Sequence, residues 1–113
     1  MRMWMINPRL LCRNHLLGEH NEIHKLVGCL RLNRSIRLYL EKGFLEPQNI
    51  ISRHNQLANE MLRRNYQHKT PIDVLTTQHI GKVNRNKSVM DLISRCKVCK
   101  ENISEVYLST GVR

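Results

Sequence analysis

The stretch His15–Gly28, HLLGEHNEIHKLVG, holds three histidines and two glutamates in fourteen positions. Glu19 and Glu22 are the only acids before Glu41, while seven Lys/Arg occupy the first forty positions. On a helix at 100° per residue with Leu16 at 0°, Glu19, His15 and Glu22 fall at about −60°, −100° and −120°. They share one border of the apolar face, where a carboxylate suits a general base or the stabilisation of a developing cation. Ordinary surface pairing competes with that reading: Glu22 reaches Lys25 at i+3 and His15 reaches Glu19 at i+4, each worth a few tenths of a kcal/mol. The setting favours chemistry, because acids repel phosphate and a polyanion-facing surface keeps them only where they serve a purpose.

Two further groups have the residue types of metal ligands. His20 and His24 stand four apart, but as His-x-Glu-x-His and not the His-Glu-x-x-His of zinc proteases, so His20 reads as a core histidine. Cys96-Lys-Val-Cys99 is half a zinc site whose missing half would come from Cys12, Cys29 or a histidine. The four cysteines read as reduced, buried or spare thiols, and no metal or cofactor is expected.

These residues must be positioned by helices. Asn7-Pro8 signals a helix start, and from there to about Leu32 Cys12, Leu16, Ile23, Val27 and Leu30 line one face. Asn33-Arg34-Ser35 introduces a short helix ending at Gly43. Pro47 opens a third helix to about Asn65, with Ile50, Ile51, Leu57, Met61 and Leu62 inward. HKTPID at 68–73 is a connection, 73–83 is ambiguous with a helical turn or two, and 86–101 forms a last helix before a tail over 102–113. Period-two alternation is scarce. The expectation is an all-α chain: a single compact domain, 1–113, of three to four helices with a long N-terminal helix. Only five aromatics are present, so its core is mostly aliphatic.

The chain carries 19 Lys+Arg against 9 Asp+Glu, a formal charge of +10, which points to a nucleic-acid or anionic-membrane partner. No apolar run approaches the ~20 residues that span a bilayer. MRMWMI is too short for a secretory signal and is interrupted by Asn7-Pro8. A cytoplasmic, nucleoid-associated monomer is expected, with no membrane partner.

Arg2 followed by N-H-L-L-G-E-H-N-E-I-x-K over Asn14–Lys25 resembles the pyrimidine-dimer DNA glycosylase family, the phage-type endonuclease V group, and the third helix is similar to its longer prokaryotic members. The resemblance spans about the first 70 residues and implies an all-α fold that cuts lesion-bearing double-stranded DNA. It implies that a free N-terminal amine attacks sugar C1′ to release the base and form an imine, and that elimination then breaks the backbone. By that resemblance Met1 and Glu22 are catalytic, and Arg2, Arg13, Asn14, His15, Glu19, Asn21 and Lys25 bind DNA. α-Amines ordinarily titrate near pH 8, well below lysine, and neutral amines form imines.

Three departures mark this chain. Met1 aligns with the Thr whose amine acts in the phage type, and the bulky Arg2 favours retention of Met1. Asn21 stands where that type carries a DNA-binding Arg. The aromatic-rich C-terminal segment is missing, Tyr107 being the only aromatic after Tyr66, so a damaged or a mismatched pyrimidine both fit as substrate. Trp4 reads as core before wedge. A non-catalytic nucleic-acid-binding module and a small zinc-binding domain are the competing classes.

Overall fold

A computed structural model describes residues 1–68, 70–72, 75 and 77–110. Among them all regular structure is helical: α1 (Arg13–Arg31), α2 (Arg37–Glu41), α3 (Ile50–Arg63), α4 (Arg85–Arg95) and α5 (Lys97–Thr110), with 3-10 turns at Pro8–Leu10 and Pro47–Asn49. The all-α class and long N-terminal helix agree with the sequence pattern. No helix among the described residues is long and apolar enough to cross a membrane.

The boundaries differ where side chains override local signals. The Asn7 side chain accepts from Arg9 N–H and Pro8 leads the turn, but Leu11 and Cys12 are extended, so the helix restarts at Arg13. Cys12 caps it, its Sγ accepting from the His15 N–H at 3.4 Å. The single helix expected over 86–101 is two, because Cys96 is extended (φ −133°, ψ 113°) and its Sγ accepts from the Cys99 N–H at 3.5 Å. α5 then continues to Thr110 through residues expected as tail; 111–113 lie outside the described residues. So do 73, 74 and 76 of the ambiguous stretch, whose described positions carry no helix.

α1 packs on α3. Leu16, Ile23 and Val27 are buried as the helical stripe requires, and Ile50, Leu57 and Met61 of α3 belong to the same buried cluster. Leu62 instead is 57% exposed: it lies 100° beyond Met61, and Arg53, His54 and Ala58 take the inward positions. Arg53 reaches across to Glu19, with Nε to Oε2 at 2.6 Å and Nη2 to Oε1 at 2.9 Å, both side chains essentially buried. Its Nη1 also donates to the Ile6 carbonyl at 2.6 Å.

Residues 1–6 form no helix, yet Met3, Trp4, Met5 and Ile6 are buried. Met3 N–H donates to the Phe44 carbonyl (2.7 Å), and Arg85 Nε to the Met5 carbonyl (2.8 Å). Backbone polar groups of an irregular buried segment need such partners. Gln48 clips the connection onto the Pro47 turn by donating to the Gly81 carbonyl and accepting from its N–H. A Cβ at Gly81 would lie 2.2 Å from the Leu45 carbonyl oxygen, so only glycine fits there.

On α3, Glu60 is buried and holds Arg63 and Arg64, and Arg64 Nη2 donates to the Pro8 and Leu11 carbonyls. The Arg63 hydrogen bond is the main cause that holds the Glu60 carboxyl below its ordinary value of 4.5, with Arg64 adding to it against the cost of burial.

Removing one member of the Glu19–Arg53 pair, as in Arg53→Met, should cost about 3–5 kcal/mol in urea unfolding, because it strands a buried charge. Glu19→Leu with Arg53→Met should recover much of that loss. The depressed Glu60 carboxyl contributes stability that is complete above pH 4.5 and is lost as pH falls through its folded value. Unfolding curves at pH 7 and pH 3 should therefore differ less for Glu60→Gln than for wild type.

Candidate functional site

α1 sends the side chains of its border in different directions. Glu22 is about one-third exposed and faces the Met1 nitrogen, its Oε2 4.0 Å away. Glu19 has no surface to offer DNA: both oxygens are taken by Arg53 inside the α1–α3 interface. His15 turns its Nδ1 to the Sγ atoms of Cys12 (3.2 Å) and Cys99 (3.6 Å). Burial, and secondarily the Arg95 charge, lower its pKa, which favours a neutral ring.

Met1 is placed by the rigidity of the residues next to it. The Arg2 guanidinium stacks between the rings of Trp4 (4.0 Å) and Phe44 (4.4 Å) and pairs with Asp91 Oδ2 at 2.7 Å. Arg2 is thus mostly enclosed, a brace between the N-terminal segment and α4. Trp4 is buried, packing edge-on to His15.

The other residues expected at DNA lie on the outside of α1. Arg13, Asn14, Asn21 and Lys25 are exposed. At 100° per residue Asn14, Gly18, Asn21 and Lys25 fall within about 60° of arc, a polar stripe beside Glu22. Nothing lies within 4 Å of a Cβ built on Gly18, so the middle of this stripe is low and open. Arg13 rests over the Tyr66 ring, 4.8 Å from its centroid.

Sequence reasoning missed an open groove whose lining includes Arg9, Arg53, Arg63 and Arg85, with Arg53 paired to the buried Glu19 and Arg63 to Glu60. It does not include Met1 or Glu22. Its arginines come from the Pro8–Leu10 turn, both ends of α3 and the start of α4, so no local charge run announces it.

Two clusters of donor atoms also assemble that the reading of spare thiols and a core histidine did not bring together. Cys12, His15, Cys96 and Cys99 place one donor atom each within 4.8 Å of one another, and so do His20, His24, His54 and His68. The missed signal is Cys12-x-x-His15, which has the same spacing as Cys96-x-x-Cys99. Burial pushes the Cys99 thiol up to about 12, whereas the Cys99 N–H bonded to Cys96 lowers the Cys96 thiol. Burial and then the three neighbouring imidazoles push His20 down to about 4.

The sequence profile of the family described as pyrimidine dimer DNA glycosylase matches residues 1–74, about two-thirds of the chain. The chain belongs to the pyrimidine dimer DNA glycosylase family. No curated protein and no solved structure matches it. The matched part of this family member contains Met1, Glu22, the outer stripe of α1 and all four histidines of the second cluster. It stops short of α4 and α5, and so of Cys96 and Cys99.

Proposed function

We propose that the protein is a DNA repair glycosylase with AP-lyase activity, which removes a damaged or mismatched pyrimidine from double-stranded DNA through an imine on its N-terminal amine. The supporting observation is the 4.0 Å approach of the Met1 nitrogen to Glu22 Oε2. Family membership supports the substrate class. The distance exceeds a hydrogen bond, so amine and carboxylate face one another without being locked together.

The neutral Met1 amine forms a bond to C1′ as the glycosidic bond breaks, and the base leaves with that bond's electron pair and takes up a proton. Opening of the sugar ring yields the imine. Loss of a C2′ proton then expels the 3′ phosphate, leaving a nicked strand. Glu22 stabilises the cationic sugar and carries protons between these steps. Arg13, Asn14, Asn21 and Lys25 hold the phosphates and sugars beside it, and Arg2 holds the segment that aims the amine. Glu19 serves the site by fixing α1 to α3. The charge of +10 supplies the non-specific, salt-sensitive part of binding.

Borohydride reduction of the untagged protein on abasic duplex DNA should trap an adduct that maps to the Met1 amine. Glu22→Gln should keep DNA binding and stay within about 1 kcal/mol of wild-type stability, since the pair it breaks is partly exposed. It should lose base release by roughly 100-fold or more. An adduct on a lysine would remove Met1 from the mechanism, and normal turnover by Glu22→Gln would remove the carboxylate. No adduct, with tight salt-dependent binding, would favour a non-catalytic DNA-binding module.

A further inference from the structure

Cys12, His15, Cys96 and Cys99 hold their donor atoms within 4.8 Å of one another, and two of the spacings are those around a bound ion, while Cys12 Sγ and His15 Nδ1 stand closer, at 3.2 Å. Tetrahedral zinc with Zn–S near 2.3 Å and Zn–N near 2.0–2.1 Å separates two sulfurs by about 3.8 Å and a sulfur from a nitrogen by about 3.6 Å. Cys12 Sγ and Cys96 Sγ are 3.8 Å apart, and Cys99 Sγ and His15 Nδ1 are 3.6 Å apart. Both halves are built alike. In Cys12-x-x-His15 and in Cys96-x-x-Cys99, the N–H three residues on donates to the first sulfur, at 3.4 and 3.5 Å. The Cys12 N–H adds a bond to Cys99 Sγ at 3.2 Å. All three sulfurs thus receive or share polar contacts suited to thiolates. The same sulfur contacts explain two features that helix propensity does not: the restart of α1 at Arg13 and the break at Cys96.

We propose that Cys12, His15, Cys96 and Cys99 form a closed structural zinc site that fastens the α4–α5 junction to the start of α1. Binding displaces the protons of three thiols, so Zn²⁺, three thiolates and a neutral imidazole carry a net charge of −1, which the strongly basic chain accommodates. Two of the ligands lie inside the family-matched residues and two beyond them. The ion therefore joins the segment beyond the matched part to the helix that bears Glu22. It also steadies α4, whose Asp91 holds Arg2. This inference does not depend on the glycosylase reading.

The test uses the full reduced chain. With Zn²⁺ bound, three of the four thiols should resist a thiol reagent while Cys29, outside the cluster, reacts; a chelator should release all four. Replacing zinc with Co²⁺ should produce a sulfur-to-cobalt charge-transfer absorption, weakened by Cys96→Ser. Equal thiol reactivity with zinc and with chelator, or cobalt binding without that absorption, would overturn the site. Both readouts are taken on wild type and stand even if Cys96→Ser fails to fold.

A different observation carries a second site. His20 Nε2 and His68 Nε2 each lie 3.2 Å from His54 Nε2. A neutral imidazole nitrogen offers one proton or one in-plane lone pair, so it serves one such partner well and two poorly. His24 Nε2 is buried with no hydrogen-bond partner. Five ring pairs among the four histidines have centroids 4.7–5.0 Å apart. Nitrogens around one tetrahedral zinc ion would stand about 3.3 Å apart. The geometry points to an all-histidine site for a divalent first-row ion of the zinc type, clamping α1, α3 and the chain just beyond α3.

Protein purified without chelator should contain two metal equivalents by elemental analysis. His68→Asn, altering a partly exposed ligand, should lose one equivalent and keep the cobalt–sulfur absorption of the first site. A wild-type content of one equivalent, unchanged by His68→Asn, would overturn the histidine site and leave the cysteine site standing.

Discussion

The buried Glu19–Arg53 pair is the contact on which the rest of the arrangement depends. A carboxylate and a guanidinium removed from water need every charge-bearing atom partnered, and the bidentate geometry largely meets that demand. Meeting it sets how α1 lies along α3, since the two side chains must register to within a fraction of an ångström. The guanidinium's third contact, to the Ile6 carbonyl, brings in the N-terminal segment. One arginine thereby sets the relation among the helix that carries Glu22, the helix that supports it, and the non-helical segment that delivers Met1.

That segment is held as firmly as a packed side chain, although it forms no helix. Hydrogen bonds at Met3, Met5 and Ile6 occupy its backbone, and Arg2 is stacked between two rings. A terminal amine on a loose tail would spend most of its time away from any acid. Here the cost of ordering six residues is met during folding, through burial of Met3, Trp4, Met5 and Ile6, and not during each encounter with DNA.

The apolar skeleton was legible from sequence because helical period and turn residues are local signals. Leu16, Ile23, Leu57 and Met61 fall where the period places them, and Gly43 ends α2 with the left-handed φ of 71° that glycine permits. Polar partnerships were not legible. Nothing in the surroundings of Arg53 or Glu60 on the chain says that these residues are buried: the partner of Arg53 lies on another helix, and Arg63 and Arg64 meet Glu60 at the i+3 and i+4 spacings that exposed helix faces use as well. Glu19 and Glu22 looked alike on the helical wheel, and only the third dimension separates the one that builds the fold from the one that faces the amine. The break at Cys96 escaped for a related reason: it carries no glycine or proline, and it arises from where a sulfur goes.

Trp4 is the only tryptophan in the chain. Its indole lies under the Arg2 guanidinium and edge-on to His15, in the segment that carries the amine. Its emission is therefore a built-in optical gauge. Movement of the N-terminal segment, or a change at the His15 ring, alters the indole's immediate environment with no other tryptophan to blur the signal. The protein can report on the posture of its own N-terminal segment without an attached label.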